Sequence, residues 1–310
     1  MMLRAACISC AMVALLVTSG CVNGDWARQS RNRTNNPPIT RPPAGKPPQA
    51  VPVGSNSNSN SGQPVVAIAP KPVSSEFSRN DDDRIANARH VKTLQVRCGS
   101  GSLRIEGAKR PSLDVKAWVY AWAESATEAE RLNREINVQL LSAETDNPSV
   151  IVSDPRTAHS GQRFEVNLTI QLPQHVRVKV IDGPGNIEVS GLTHGIEVSN
   201  EAGTVEIWDV GGGIELTNRG GATTIESASG KINVVDQGSD LTISQIAGEV
   251  KVRDAGGKLS IQHVTGTVIA SGNQQGIELI NIDGQAKLYG IDPSKSKLQG
   301  VANLSFEAAQ

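Results

Sequence analysis

The stretch QIAGEVKVRDAGGKLSIQHVTG, residues 245–266, decides the fold because it repeats itself over a short distance. Gly248, Gly257 and Gly266 stand nine residues apart, and apolar residues alternate with polar ones between them. Alternation with a period of two is typical of β-strands that bury one face. Glycine at a fixed spacing indicates tight turns between such strands. The stretch therefore predicts short strands joined by regular corners.

The nine-residue spacing is half of an eighteen-residue period that runs from about residue 183 to about residue 290. Five columns of mostly apolar positions follow this period, and Thr223 is their single polar member. The columns begin at Ile187, Val189, Leu192, Ile196 and Val198. A repeat of this kind buries its apolar face only when neighbouring repeats stack on it. We predict an all-β fold: a parallel β-solenoid (β-helix) of about six 18-residue coils with two strands each.

A second set of turn residues follows the same period and carries polar side chains. Its members are Asn200, Asn218, Asp236 and Asp254, and Asn273 continues the series one residue late. Asn and Asp tolerate left-handed backbone, so a structural role in the turns is expected. Stacked carboxylates about 4.8 Å apart could instead hold Ca²⁺ through oxygen ligands. The structural role is favoured, because a calcium-binding repeat would carry an acid in every coil.

The N-terminus reads as a targeting segment. Arg4 precedes the short apolar run AACISCAMVALLV, which predicts a signal peptide over residues 1–20. Ser19 and Gly20 before Cys21 resemble the lipobox of bacterial lipoproteins, and this resemblance implies cleavage before Cys21 and its lipidation. Thr18 departs from the motif, so an ordinary signal peptide cut nearby is the alternative. Val22 after the cysteine favours, by the same resemblance, the outer membrane of the bacterial envelope.

Three further regions surround the repeats. Residues 21–86 are rich in Pro, Asn and Ser and predict a disordered tether. Residues 87–182 predict a β-rich cap region with one helix near 126–135, because Ser125 and Glu128 form a capping box. Residues 291–310 follow the repeats of 183–290 and predict a C-terminal cap, in which Lys295 and Lys297 protect a strand edge.

Composition excludes several classes of function. The net charge of −1 favours no nucleic-acid partner, and an aromatic content of 3% argues against a carbohydrate cleft or a base-stacking platform. Cys98 is the one cysteine that follows Cys21, so the mature chain is expected to lack an internal disulfide. The sequence contains no catalytic or metal-ligand motif. No catalytic residue, metal or cofactor is therefore predicted.

The strand-rich region followed by G-x-φ-x-φ coils, in which φ is an apolar residue, includes LTIQLPQHVRVKVIDGPGNIEVSGL. Over residues 90–290 this pattern resembles bacterial envelope proteins with adhesin-like or β-strand-repeat domains of unknown function. The resemblance implies the fold and an envelope location, and it supplies no functional residues. We predict a non-catalytic, lipid-anchored protein that presents its solenoid for adhesion, scaffolding or binding of an envelope polymer or protein. The alternatives are a self-assembling scaffold similar to bactofilins, although a monomer is favoured, and an enzyme acting on a polysaccharide.

Overall fold

The computed structural model describes residues 75–153, 161–181, 185–237, 240–254, 256–272 and 275–308. These residues form strands and one α-helix, α1 (Ala126–Glu135). The first nine strands are β1 (Ser75–Ile85), β2 (Thr93–Arg97), β3 (Gly101–Ala108), β4 (Leu113–Ala123), β5 (Asn137–Leu141), β6 (Ser149–Ser153), β7 (Arg163–Pro173), β8 (Arg177–Ile181) and β9 (Gly185–Ser190). The others are β10 (Ile196–Asn200), β11 (Val205–Val210), β12 (Ile214–Asn218), β13 (Thr223–Asp236), β14 (Leu241–Asp254), β15 (Leu259–Thr265), β16 (Val268–Ser271), β17 (Ile277–Tyr289) and β18 (Lys297–Glu307).

The strands stack in parallel on two sides of a solenoid. Side A carries β3, β9, β11, β15 and the first halves of the long strands β13, β14, β17 and β18. Side B carries β2, β8, β10, β12, β16 and the second halves of the same long strands. Each long strand therefore turns one corner of its coil without a break.

The predicted period sets the register. Ile196 pairs with Ile214, and Ile214 with Ile232, eighteen residues further along at each step. Every member of the five predicted columns is buried, including Thr223. The solenoid has about seven turns of roughly 18 residues, one more than predicted. The predicted fold class, with one short helix before the repeats, is confirmed.

Antiparallel strands and the helix cover the N-terminal end of the solenoid. On side A β1 pairs with β4 and β4 with β7, and on side B β5 pairs with β6. Helix α1 begins where predicted, because the Ser125 side chain accepts a hydrogen bond from the Glu128 amide at 3.2 Å. The helix packs on β1 and β4. Among the described strands, none at this end has an open edge for parallel pairing.

The solenoid begins earlier than the predicted boundary at residue 183. Strand β2 lies between β6 and β8, and β3 lies between β7 and β9, with all four pairings parallel. Residues 93–108 therefore form a coil that lies between the layer of β6 and β7 and the layer of β8 and β9, although they precede all four strands in the chain. The long insertion between β3 and β7 breaks the eighteen-residue spacing, which hid this coil in the sequence.

Both outer boundaries also differ from the predicted ones. Strand β1 lies within residues 21–86, which the sequence predicts as a tether. It contacts α1 partly through polar side chains, and a search for apolar patterns does not find such contacts. Arg79 on β1 hydrogen-bonds Asn133 Oδ1 at 3.0 Å. At the other end β18 pairs in parallel with β17 and continues the solenoid, so residues 297–307 form a last coil and not a separate cap.

Among the described helices, none is long and apolar enough to cross a bilayer.

Candidate binding surface

An aromatic row lies on the outer face of side A, near the N-terminal end. The chain has four Trp and two Tyr, and β4 alone carries Trp118, Tyr120 and Trp122. Val119 and Ala121 between them are fully buried, so the strand alternation turns the three rings outward. The few rings of the chain are therefore concentrated on one strand, which the average aromatic content does not reveal.

The rings are held in place by their neighbours. Tyr120 and Trp122 stack with their centroids 6.0 Å apart and their planes 14° apart. The Arg163 guanidinium lies over the Trp122 ring, 4.3 Å from its centroid. Trp122 also donates its indole N–H to Glu76 at 3.2 Å. Trp122 is therefore fully engaged, and it supports Tyr120 from one side.

A polar wall faces the aromatic row across β7, β3 and β9. A cleft of about 410 Å³ lies between the two and is open to solvent. Its lining comprises Ser102, Arg104, Trp118, Tyr120, Asn167, Leu168, Thr169, Asn186 and Glu188. A second open cleft of about 570 Å³ adjoins it and shares Ser102, Asn167 and Asn186. The two clefts form one groove, which we call the β4 groove.

Hydrogen bonds fix the amides of this wall. Asn167 Oδ1 accepts from the Ser102 amide at 2.9 Å and from the Ser102 hydroxyl at 2.7 Å. The Asn167 amide group donates to Glu165 at 3.0 Å. Asn186 Oδ1 accepts from the Thr204 amide at 3.0 Å. The wall therefore presents its amides in set orientations before any ligand arrives.

The charges along the groove balance. Arg104 donates to Glu106 at 2.6 Å and lies 3.5 Å from Glu188. Partial burial acts to raise the pKa of Glu106, but hydrogen bonds from Gln171 and Arg104 outweigh it and hold that pKa below its ordinary value. The two clefts together contain Arg104 and Arg163 against Glu165 and Glu188. The groove has the character of a neutral polar surface next to aromatic rings.

The predicted polar ladder lies inside the solenoid. Asn200, Asn218, Asp236 and Asp254 are each 1% exposed or less. Their backbones are not left-handed, which corrects that part of the prediction. Left-handed corners form another column eighteen residues apart: Gly191, Asp209, Ser227, Gln245, His263 and Asn281, with φ of 72°, 55°, 56°, 57°, 55° and 56°.

The ladder side chains hydrogen-bond one another from coil to coil. Asn200 donates to Asn218 Oδ1 at 3.0 Å, and Asn218 donates to Thr223 Oγ1 at 2.9 Å. The Thr223 hydroxyl donates to Asp236 Oδ2 at 3.0 Å. This chain of bonds explains why Thr223 is the polar exception in its column. Burial leaves the ladder no open route for a calcium ion, and the described residues contain no cluster of His, Cys, Asp or Glu suited to a metal.

Two other predicted positions lie elsewhere. Cys21, the predicted lipidation site, and Asn273, the last ladder member, lie outside the described residues. Cys98 is partly buried against the core, next to β2. The sequence signal for the β4 groove was present in LDVKAWVYAWA, where the aromatic residues share one strand face. The alternation there is typical of a strand within the β-rich cap region, and the outer face of that strand carries the rings.

Solved structures that match this chain carry descriptions related to adhesion. No family profile and no curated protein matches the chain. A "putative adhesin" from Parabacteroides merdae is 12% identical with a TM-score of 0.29, over 75% of this chain and 96% of that one. One from Bacteroides fragilis is 13% identical with a TM-score of 0.30, over 76% and 98%. A "putative cell adhesion protein" from Clostridium sporogenes is 10% identical with a TM-score of 0.23, over 75% and 96%.

These descriptions agree with the adhesin-like resemblance drawn from the sequence. At such identities and TM-scores, no residue or ligand carries over from those proteins.

Proposed function

We propose that this chain is a non-catalytic binding protein of the bacterial cell envelope, anchored by lipid at Cys21 and presenting the solenoid for adhesion. The observation that carries the proposal is the β4 groove. It combines half-buried Trp118 and Tyr120, on the outer face of β4, with pre-oriented amides. Aromatic residues beside a few fixed polar groups are typical of binding surfaces.

The N-terminal sequence supports the location. A signal peptide over residues 1–20, a cysteine at its end and a Pro-rich segment after it are the parts that an envelope tether needs. Such a tether would hold the groove at a distance from the membrane, with the outer membrane favoured by Val22.

The chemistry of the groove supports binding over catalysis. Glu188 lies against Arg104, and Glu165 accepts a hydrogen bond from Asn167. Both carboxylates are therefore held by neighbouring donor groups of the groove, as in a surface that is ordered before a ligand binds.

Membrane fractionation of the full chain tests the anchor. Wild-type protein is expected in the membrane fraction, and Cys21→Ala is expected in the soluble envelope fraction. Ser19→Ala, which keeps a small residue before the cysteine, is the matched control and should stay in the membrane. Equal release of wild type and Cys21→Ala would refute the lipid anchor.

The C-terminal end of the solenoid favours a second candidate, self-association. Among the described strands β18 pairs with β17 alone, and Leu304 and Phe306 on it are 39% and 37% exposed. Because α1 and β1 cover the other end, association would pair two C-terminal ends and stop at a dimer, unlike a bactofilin-like filament. Analytical ultracentrifugation should show a dimer that Phe306→Asp converts to monomer. A monomer at all concentrations, or filaments, would contradict this candidate.

A further inference from the structure

We propose that the β4 groove binds a neutral oligosaccharide chain, with Trp118 and Tyr120 stacking on sugar rings and Asn167, Asn186 and Ser102 hydrogen-bonding their hydroxyls. This inference rests on the proposed function and names its ligand class. It is carried by three features of the groove: its rings, its polar wall and its charge.

The rings provide flat apolar area for the C–H faces of a sugar. Trp118 and Tyr120 line the cleft, whereas Trp122 does not, because Arg163 and Glu76 engage it. The stack of Trp122 on Tyr120 fixes the orientation of the tyrosine ring before binding. Little side-chain entropy would then be lost when a ligand binds.

The polar wall suits hydroxyl groups. A hydroxyl both donates and accepts, so it pairs best with a surface that offers both roles within a short distance. Asn186 and Asn167 each have amide N–H donors, the Ser102 hydroxyl oxygen can accept, and Arg104 beside Glu188 provides a donor next to an acceptor. The amides already have their orientation set by the hydrogen bonds to Ser102, Glu165 and Thr204.

The charge of the groove excludes the other flat ligands. Single-stranded nucleic acid also stacks on aromatic rings, but it needs a cationic track for its phosphates. Here two glutamates offset two arginines. A quaternary ammonium needs several ring faces around it in an aromatic cage, whereas Trp118 and Tyr120 share one face of a single strand. A protein partner would need a larger desolvated apolar centre than two rings provide.

The shape of the groove favours a chain over a single sugar. The clefts of about 410 and 570 Å³ lie side by side and both open to solvent. A small molecule is usually enclosed by its pocket, whereas an open groove leaves room for a polymer to enter and leave at its ends.

Calorimetric titration tests the proposal with defined probes: chitohexaose and maltohexaose as neutral chains, and a heparin hexasaccharide and single-stranded oligothymidylate as anionic ones. The full chain with Cys21→Ala provides soluble protein. At least one neutral probe should bind. Trp118→Ala and Tyr120→Ala should each weaken it by about tenfold or more, and Trp118→Phe by less. Trp208→Ala removes an outward tryptophan of β11 that lies outside both clefts, and it should change nothing.

Circular dichroism melting of each variant shows whether a lost affinity reflects lost structure, and only variants that keep the wild-type melting temperature are compared. No binding of either neutral probe, tighter binding of an anionic probe, or equal binding by Trp118→Ala and wild type would overturn the proposal. Neutral binding accompanied by cleavage of the probe would instead refute the non-catalytic function. The fractionation with Cys21→Ala remains an independent test of envelope anchoring.

Discussion

We predict that Asn218, in the buried polar ladder, contributes strongly to the stability of the solenoid. Its Oδ1 accepts from Asn200 at 3.0 Å, and its amide nitrogen donates to the Gly221 carbonyl at 3.0 Å and to Thr223 Oγ1 at 2.9 Å. The side chain is fully buried. Asn218→Ala removes all of these bonds at once and leaves their partners inside the protein.

The expected loss of unfolding free energy depends on which of those partners find another hydrogen bond. The Gly221 carbonyl loses this hydrogen bond, while Asn200 keeps a longer bond to the Gly203 carbonyl at 3.3 Å and Thr223 keeps its bond to Asp236. A buried polar group left without its partner costs about 1–3 kcal/mol. The removed amide also leaves a small void. We expect Asn218→Ala to lower the free energy of unfolding by about 3 kcal/mol.

Urea unfolding followed by circular dichroism measures this loss as a lower midpoint at an unchanged slope. Thr217→Ala, one residue earlier and on the half-buried outer face, is the matched control and should change stability by about 0.5 kcal/mol or less. Asn218→Asp keeps the shape but replaces the donors with a carboxylate beside Asp236, so it should destabilise at least as much as alanine. A loss below about 1 kcal/mol for Asn218→Ala, or a tolerated aspartate, would refute the reasoning.

Three further predictions concern the corners and the last coil. Gly266→Ala should destabilise the fold by about 3 kcal/mol or more, because its φ is 146° and a Cβ would stand 2.0 Å from a backbone oxygen of the preceding coil. Thermal melting measures this loss. The control Gly220→Ala, whose Cβ would meet its nearest atom at 3.5 Å, should leave the melting temperature unchanged. His263 has a φ of 55°, so His263→Val should lower the free energy of unfolding in urea by about 1 kcal/mol, whereas His263→Gly should not lower it. Equal effects of the two substitutions would contradict the corner geometry. The hydrogen bond from Lys297 holds the pKa of Glu278 below its ordinary value, so its contribution to stability is present above the unfolded pKa of glutamate and is lost as pH falls through the lowered value. Unfolding measured across acidic pH should show a shallower decline for Glu278→Gln, and an unchanged acid profile would contradict this.

The inner architecture could be predicted because each coil repeats the same apolar positions. Ile196, Ile214 and Ile232 lie eighteen residues apart, and a one-residue slip of register would turn them toward solvent. The helix was predictable from its cap at Ser125. Burial and local capping both leave a direct pattern in the sequence.

The remaining features depend on contacts that the sequence pattern does not carry. Asn and Asp suit both left-handed corners and buried hydrogen-bond ladders, so composition alone assigned Asn218 and Asp236 to the wrong backbone conformation. Strand β1 meets α1 partly through Arg79 and Asn133, which look like solvent residues in an apolar pattern. The coil of β2 and β3 needs partners from β6 to β9, and these follow in the chain only after a long insertion.

The β4 groove was missed for a different reason. Average composition measures how many rings a chain has, and a binding surface depends on whether they share a face. Trp118 and Tyr120 are two residues apart on a strand, which places them side by side. Their polar neighbours Asn167 and Asn186 come from distant segments that the sheet register brings together.

Ligand capture by whole cells that display the full, anchored chain tests binding by the β4 groove where the protein is expected to act. Cells are incubated with the fluorescently labelled neutral hexasaccharide that binds best in solution, and the captured label is divided by the amount of surface protein detected with an antibody. If the groove binds the hexasaccharide, the double variant Trp118→Ala, Tyr120→Ala reaches the surface at the wild-type level but captures no label above the Cys21→Ala background. Equal capture by the double variant and the wild type would contradict it, because the groove would then not be the binding surface.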